Sequence, residues 1–105
     1  MNAASVKAFG ERAAIVGEAL WPATVRVLGV DYACAAVKQR VRGVLEAGYE
    51  SETVEQVVRV RKTILATEPV RDSFVIYGAK SWQVREVGGK GDADAEWVLL
   101  LERTK

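Results

Sequence analysis

Few side chains in this sequence could do chemistry. The chain contains one cysteine, Cys34, and no histidine. Without an imidazole, Ser-His-Asp and Cys-His catalysis and histidine-containing zinc sites are excluded. Cys34 stands among Ala33, Ala35 and Ala36, a setting that favours a small buried residue over a reactive thiol. A lone cysteine forms no internal disulfide, so a disulfide-stapled secreted fold is also excluded.

A glycine-rich segment, Gly88 to Asp94, carries two features typical of ligand sites. Asp92 and Asp94 suggest calcium, but an EF-type loop needs further oxygen ligands and a bidentate glutamate at its twelfth position. The run Gly-Gly-Lys-Gly suggests a phosphate cradle, but a P-loop needs its full motif between a strand and a helix. Here the segment joins two predicted strands. We therefore predict a solvated turn, with no metal and no cofactor.

Basic residues on predicted strands offer a second kind of site. Four arginines are placed on strand faces: Arg26, Arg59, Arg61 and Arg85. With Trp82 or Trp97 nearby, such a surface could bind a single-stranded nucleic acid, as small β-barrels do. Acidic residues are interleaved, however, and Glu55 shares the face of Arg59 and Arg61. A merely solvated surface therefore remains the alternative.

The composition bounds these possibilities. In 105 residues there are 15 Lys and Arg against 14 Asp and Glu, a formal net charge of +1. A dedicated nucleic-acid-binding domain is expected to be more basic. The length predicts a single domain, residues 1–105. The N-terminus lacks the basic and apolar regions of a signal peptide, and no apolar run approaches the ~18 residues of a membrane span. These features predict a soluble intracellular protein.

The first 21 residues have the pattern of one amphipathic helix. Apolar residues recur at spacings of three or four, which places them on one stripe: Val6, Phe9, Ala13, Val16 and Leu20. Trp21-Pro22 ends the helix, because the residue before a proline is disfavoured in the α region. Glycines at 10 and 17 weaken such a helix in isolation, so we expect it to dock on a partner surface.

After Pro22 the apolar period changes from 3.6 to 2, which predicts strands. The expected strands are Ala23–Val30, Tyr32–Lys38, Glu55–Lys62, Ser73–Tyr77, Lys80–Val87 and Glu96–Glu102, with turns at 29–31 and at Gly78-Ala79. Gln56, Val58 and Val60 should face the core. In the last strand both faces are apolar, which is typical of a central or covered strand. The fold class is mainly β, a small antiparallel β-barrel or sandwich with an N-terminal α-helix.

The segment Gln39–Val54 is undecided by pattern. Its polar part predicts a long exposed loop near 46–54, and such a loop in a small domain is often functional. The candidate partner-binding residues are Tyr49, Glu50, Ser51, Glu52 and Thr53.

The second half of the chain resembles a known family. The hairpin Val75–Val87 (VIYGAKSWQVREV), the Gly/Asp loop after it and the strand Trp97–Leu101 (WVLLL) are similar to the C-terminal part of small head-tail joining, or head completion, proteins of tailed bacteriophages. The lambda-type attachment proteins are the nearest of these. Ala23–Tyr32 resembles their opening hairpin, and the resemblance spans about residues 20–102.

This resemblance implies a structural protein that is not an enzyme. Such a protein binds below the portal complex, helps to close the DNA-filled head and offers a docking surface to the tail. It implies a homo-oligomeric ring through which DNA passes without being specifically bound, no membrane, no small-molecule substrate, and a location in the virion or the host bacterial cytoplasm. Two alternatives stay open: the nucleic-acid-binding module described above, and a phage ring protein similar to tail terminators.

Overall fold

The computed structural model describes residues 10–15, 22–46 and 49–104. It is mainly β: six antiparallel strands form a closed barrel, preceded by a short helix. The predicted fold class is confirmed in its barrel form. The helix α1 covers residues 10–15, and the rest of the predicted helix, 1–9 and 16–21, lies outside the described residues. The strands are β1 Pro22–Val27, β2 Val30–Glu46, β3 Tyr49–Arg61, β4 Phe74–Tyr77, β5 Lys80–Gly88 and β6 Glu96–Thr104.

The strands follow one another around the barrel in the order β1-β2-β3-β6-β5-β4. Strands β4 to β6 run around the barrel in reverse order, so that β6 pairs with β3 and β4 pairs with β1. The barrel closes where Val25 and Arg26 of β1 pair with Tyr77 and Ile76 of β4. Closure satisfies backbone groups that an open sheet would leave unpaired at its edges.

Two tight turns of the same kind join β1 to β2 and β4 to β5. Gly78 and Ala79 have φ values of 59° and 60°, and Leu28 and Gly29 have 50° and 81°. Positive φ at both central residues is the mark of a type I′ hairpin turn, whose twist matches that of the strands. The turn at Gly78-Ala79 is as predicted. The first turn lies one residue earlier than the predicted 29–31, because the I′ geometry takes Gly29 as its second residue.

Alternation along the strands fills the barrel with side chains. The most buried members are valines, leucines and the two indoles that face inward: Val25, Val54, Val58, Val60, Val75, Trp82, Val84, Trp97, Leu99 and Leu101. The inward face predicted for Gln56, Val58 and Val60 is confirmed. Trp97 donates its indole N–H to the Leu65 carbonyl at 2.8 Å, so this large buried ring leaves no unpaired donor.

Cys34 is fully buried in this core, in agreement with the predicted packing role. The phenol of Tyr77 has a raised pKa, first because it is partly buried and second because of the Cys34 thiol nearby. A thiol without access to solvent is poorly placed to act as a nucleophile.

The helix α1 rests on the outside of the barrel. Gly10 lies so close to Ala95, the residue before β6, that a Cβ added to it would be 3.0 Å from the Ala95 Cβ. Ala14 is buried, and Glu11 accepts hydrogen bonds from Arg61 and Thr63, both at 2.8 Å. The predicted docking of the N-terminal helix is therefore confirmed for the turn that is described.

The predicted loop near 46–54 is not what the chain forms. Residues 49–53 belong to β3 and pair with residues 42–46 of β2, from Glu46 opposite Tyr49 to Arg42 opposite Thr53. The prediction was wrong because it took polarity as a sign of a loop. A two-stranded ribbon that extends beyond a barrel does not have to line its core, so its sequence need not show apolar alternation.

Candidate partner-binding arm

The hairpin of β2 and β3 extends beyond the barrel. β1 pairs with β2 only as far as Ala35, and β6 pairs with β3 only from Thr53 onward. Residues 42–46 and 49–52 therefore pair mainly with each other, and we call these residues the arm. The described chain measures 54 × 25 × 25 Å, an elongated shape for its size. A two-stranded ribbon is marginally stable in water on its own, so the barrel must support the arm at its base.

The predicted partner-binding residues lie in this hairpin. Tyr49, Glu50, Ser51 and Glu52 are arm residues, and Thr53 lies at the base, where it pairs with Thr104 of β6. Glu52 is exposed and Thr53 is half-buried. The five positions are thus brought together as one strand segment at the end of the molecule, although the segment was predicted as a loop.

An ion pair fastens β2 to β3 between the barrel and the arm. Arg40 stands opposite Glu55 in the register, and its Nη2 and Nε donate to Glu55 Oε2 at 2.8 and 3.2 Å. The Glu55 side chain is only 11% exposed, whereas that of Arg40 is 57% exposed. A carboxylate so far removed from water needs a cationic partner. The pair therefore holds the two strands in register where β2 has lost β1.

The barrel end below the arm is closed by side chains. Arg103 is placed with its guanidinium 4.9 Å from the centre of the Trp82 ring, a cation–π arrangement. Trp82 in turn donates its indole N–H to the Tyr77 carbonyl at 2.9 Å. Leu101 and Val54 beneath them are buried. The interior of one copy is a packed core and not a channel.

A shallow cavity of about 210 Å³ lies beside the base of the arm, on the outer face of the barrel. Its lining is Lys38, Arg40, Glu55, Val57 and Leu100. The floor is apolar and the rim toward β2 is basic. This rim was not singled out by sequence reasoning. The sequence does contain a signal for this basic rim. Basic residues stand at every second position, 38, 40 and 42, and this spacing is the period of a strand.

The four arginines of the nucleic-acid hypothesis do not form one surface. Arg26 is on β1, Arg59 and Arg61 are on β3, and Arg85 is on β5. In the strand order of the barrel these three strands alternate with others, so the arginines are distributed around it. The predicted common face of Arg59 and Arg61 on β3 is present, but a single basic face with all four is not.

Three of these arginines are also matched by acids. Arg26 binds Asp31 at 2.8 Å, Arg61 binds Glu11 at 2.8 Å, and Arg85 binds Asp72 at 3.4 Å. The hydrogen bond from Arg26 lowers the pKa of Asp31, and the same bond raises the pKa of Arg26. Arg59 is exposed beside α1. A phosphate backbone would have to compete with these carboxylates for the guanidinium groups.

The Gly/Asp segment has an internal structural role. Asp94 accepts the N–H of Gly91 on its carboxylate at 3.1 Å and donates its own N–H to the Gly91 carbonyl at 3.0 Å. Lys62 donates to the same carbonyl and places its ammonium 4.4 Å from the centre of the Trp97 ring. In the described ranges no three metal-ligating side chains cluster together.

Comparisons with known proteins do not assign the chain to a family. Neither the family models nor the curated proteins that were searched match this sequence. Over the described residues, no helix is both long and apolar enough to cross a membrane.

Proposed function

We propose that this chain is a structural joining protein of a tailed bacteriophage or prophage, which links the DNA-filled head, on its portal side, to the tail. The observation that carries the proposal is the arm. Much of its length adds no strand to the barrel and is paired mainly with itself. Such an element is stabilised when a partner covers it.

The resemblance of the hairpin Val75–Val87 and the strand Trp97–Leu101 to head-tail joining proteins supports the choice of partner. In this proposal the arm contacts the portal or the tail proteins, and the chain is not an enzyme. It works in the virion after assembly in the host cytoplasm.

The packed core determines which opening DNA could pass through. Because Val58, Leu99 and Trp82 fill the barrel, DNA cannot run through a single copy. Passage requires a ring of copies around a central opening, built from heterologous contacts that close by rotation. The near-neutral net charge suits a lining that does not hold the DNA.

The test uses an induced prophage whose copy of this gene is deleted. Electron microscopy of the lysate counts intact virions against separate heads and tails. The proposal expects packed or leaking heads beside finished tails. Intact virions at normal yield would overturn it.

A second, more specific test uses a protein variant that lacks most of the arm. Residues 44–51 are replaced by Asn-Gly, which joins Gly43 to Glu52 through a two-residue hairpin turn. Because the pairing of Val41 with Val54 is kept, the barrel should fold with an unchanged thermal midpoint. Complementation with this variant should fail, whereas complementation with the matched surface variant Leu28→Asn, in the opening turn, should restore virions.

A further inference from the structure

One edge of β2 has no pairing partner among the described residues along more than half of its length. On the side away from β3, its pairing with β1 ends at Ala35, and none of the described residues pairs there from Ala36 to Glu46. We call this the free edge of β2. An edge strand offers a row of backbone N–H and C=O groups that can pair with another extended chain. The bulge at Val37 marks the point where β2 leaves β1.

From Lys38 to Val41 the free edge is open to solvent on both of its faces. Lys38, Gln39, Arg40 and Val41 are four consecutive exposed residues. Val41 is 53% exposed although its partner across the hairpin, Val54, is buried. An exposed valine next to an unpaired backbone is a site where an added strand would bury apolar surface.

From position 36 to position 41 the charged residues of this edge, Lys38 and Arg40, are both basic. Lys38 and Arg40 share the outer face of β2, opposite Val57 and Glu55 of β3. Glu55 offsets Arg40, but the positions 36–41 of the edge itself contain no acidic residue. Two copies that paired through this edge would bring Lys38 and Arg40 toward the same residues of the partner, and like charges across a strand pair are destabilising. The charge therefore disfavours a symmetric dimer at this edge.

We propose that the free edge of β2 binds an extended segment of a partner protein in which acidic residues alternate with apolar ones. The backbone of that segment would pair with β2, as in other strand-addition complexes. Because neighbouring side chains alternate between faces, its acidic residues would lie beside Lys38 and Arg40, and its apolar residues beside Val41. This inference rests on the proposed function, because it specifies the chemistry of the partner segment that the β2–β3 hairpin would bind.

The test uses synthetic peptides and the full chain labelled with ¹⁵N. The probe is a capped peptide in which glutamate and valine alternate over about seven residues, close to the usual length of a strand. One control peptide has lysine in place of glutamate, and another carries N-methyl groups on alternate backbone nitrogens. Amide exchange and chemical shifts report which residues are covered. The expected result is added protection at residues 36–41 and none in the β4–β5 hairpin, with the lysine and N-methyl peptides inactive.

Protein variants make the charge test specific. Lys38→Glu should weaken the glutamate peptide roughly fivefold and strengthen the lysine peptide. The matched control Lys80→Glu, an exposed lysine next to the Gly78-Ala79 turn, should change neither. The proposal would be overturned if no binding were seen at about 1 mM peptide. A Kd of about 1 mM corresponds to a binding free energy of only about 4 kcal/mol, so even a weak complex would be detected. Equal binding of the lysine peptide or of the N-methyl peptide would also overturn it, because binding would then depend neither on acidic side chains nor on backbone pairing.

The two proposals fail separately. If peptide binding is as expected but the gene deletion still yields intact virions, the edge binds its acidic partner in another process. If the deletion blocks joining while the peptide does not bind, the joining function stands and the edge is not its docking strand.

Discussion

Arg40 of β2 and Glu55 of β3 face each other across the outer surface of the hairpin, with Nη2 and Oε2 2.8 Å apart. The pair lies between Ala35, where β2 loses β1, and Thr53, where β3 loses β6. It thus joins β2 to β3 between the closed barrel and the arm, whose described residues pair mainly with each other.

Removal of Arg40 should destabilise the protein more than removal of Arg26, because the carboxylate partner of Arg40 is buried and that of Arg26 is exposed. Arg40→Ala takes a cation from the buried Glu55 and should lower the free energy of unfolding by about 1 kcal/mol, the loss being moderated by the exposure of Arg40. Arg26→Ala is the matched control, because Arg26 and Asp31 are also 2.8 Å apart but are both half-exposed. Urea unfolding followed by tryptophan fluorescence measures both. Equal losses would mean that the Arg40 pair contributes no more than a surface pair.

Gly89 should tolerate no side chain. Its φ is +78°, and a Cβ there would overlap the Glu96 carbonyl oxygen. Gly89→Ala therefore combines left-handed strain with a backbone clash and should cost roughly 2 kcal/mol or more. Gly29→Ala is the control, since Gly29 has φ +81° with open space around it. A thermal midpoint of Gly89→Ala equal to that of Gly29→Ala would show that the backbone at Glu96 can move aside.

The strands that alternate over a buried face could be predicted from the sequence. β5 and β6 were predicted as Lys80–Val87 and Glu96–Glu102, and they extend one and two residues further. Their inward residues are apolar because they pack into the buried core of the barrel. The turn at Gly78-Ala79 was predictable for a local reason, the need for positive φ.

What the sequence did not reveal are relationships between distant residues. The closure of the barrel depends on the two pairs that join Val25 and Arg26 to β4, and no local pattern records which strands meet. The arm was missed because the polar run from Glu50 to Thr53 lacks the apolar alternation by which a strand that lines a core is recognised. The free edge at Lys38 and Arg40 exists because the pairing of β1 with β2 ends at Ala35. Where that pairing ends depends on the topology of the barrel and cannot be seen in the alternation of apolar and polar residues.

The two I′ turns each contain a residue that is unsuited to its conformation. Leu28 holds φ at 50° and is 94% exposed, and Ala79 holds φ at 60°. Leu28→Asn and Ala79→Gly place the preferred residue types at the first and second turn positions. Each should stabilise by about 0.5–1 kcal/mol, and the effects should add because the turns are in separate hairpins. Differential scanning calorimetry measures the rise. A double variant no more stable than the parent would show that the turns are not strained.

The titration of Asp31 should reveal its bond to Arg26. Because the folded-state pKa of Asp31 is lowered by that hydrogen bond, the pair contributes stability above the unfolded pKa of about 3.9. This contribution is lost as the pH falls through the lower folded-state pKa. Carboxyl ¹³C NMR should give a midpoint below the ordinary value, and Arg26→Gln should move it upward. Arg85→Gln is the control and should leave it unchanged. A midpoint insensitive to Arg26→Gln would mean that the pair does not persist in solution.

Binding of single-stranded nucleic acid is expected to be weak. The arginines are distributed over β1, β3 and β5, and Arg26, Arg61 and Arg85 each have a carboxylate partner, so phosphate contacts would cost existing ion pairs. Fluorescence anisotropy with a labelled oligonucleotide at ~50 mM salt, where phosphate contacts are little screened, should show no saturable binding. Saturable binding that weakens steeply with salt and is lost in Arg59→Glu would contradict this expectation. In that case the outer face of β3 beside α1 would be the nucleic-acid site, and the binding-module hypothesis would replace the joining function.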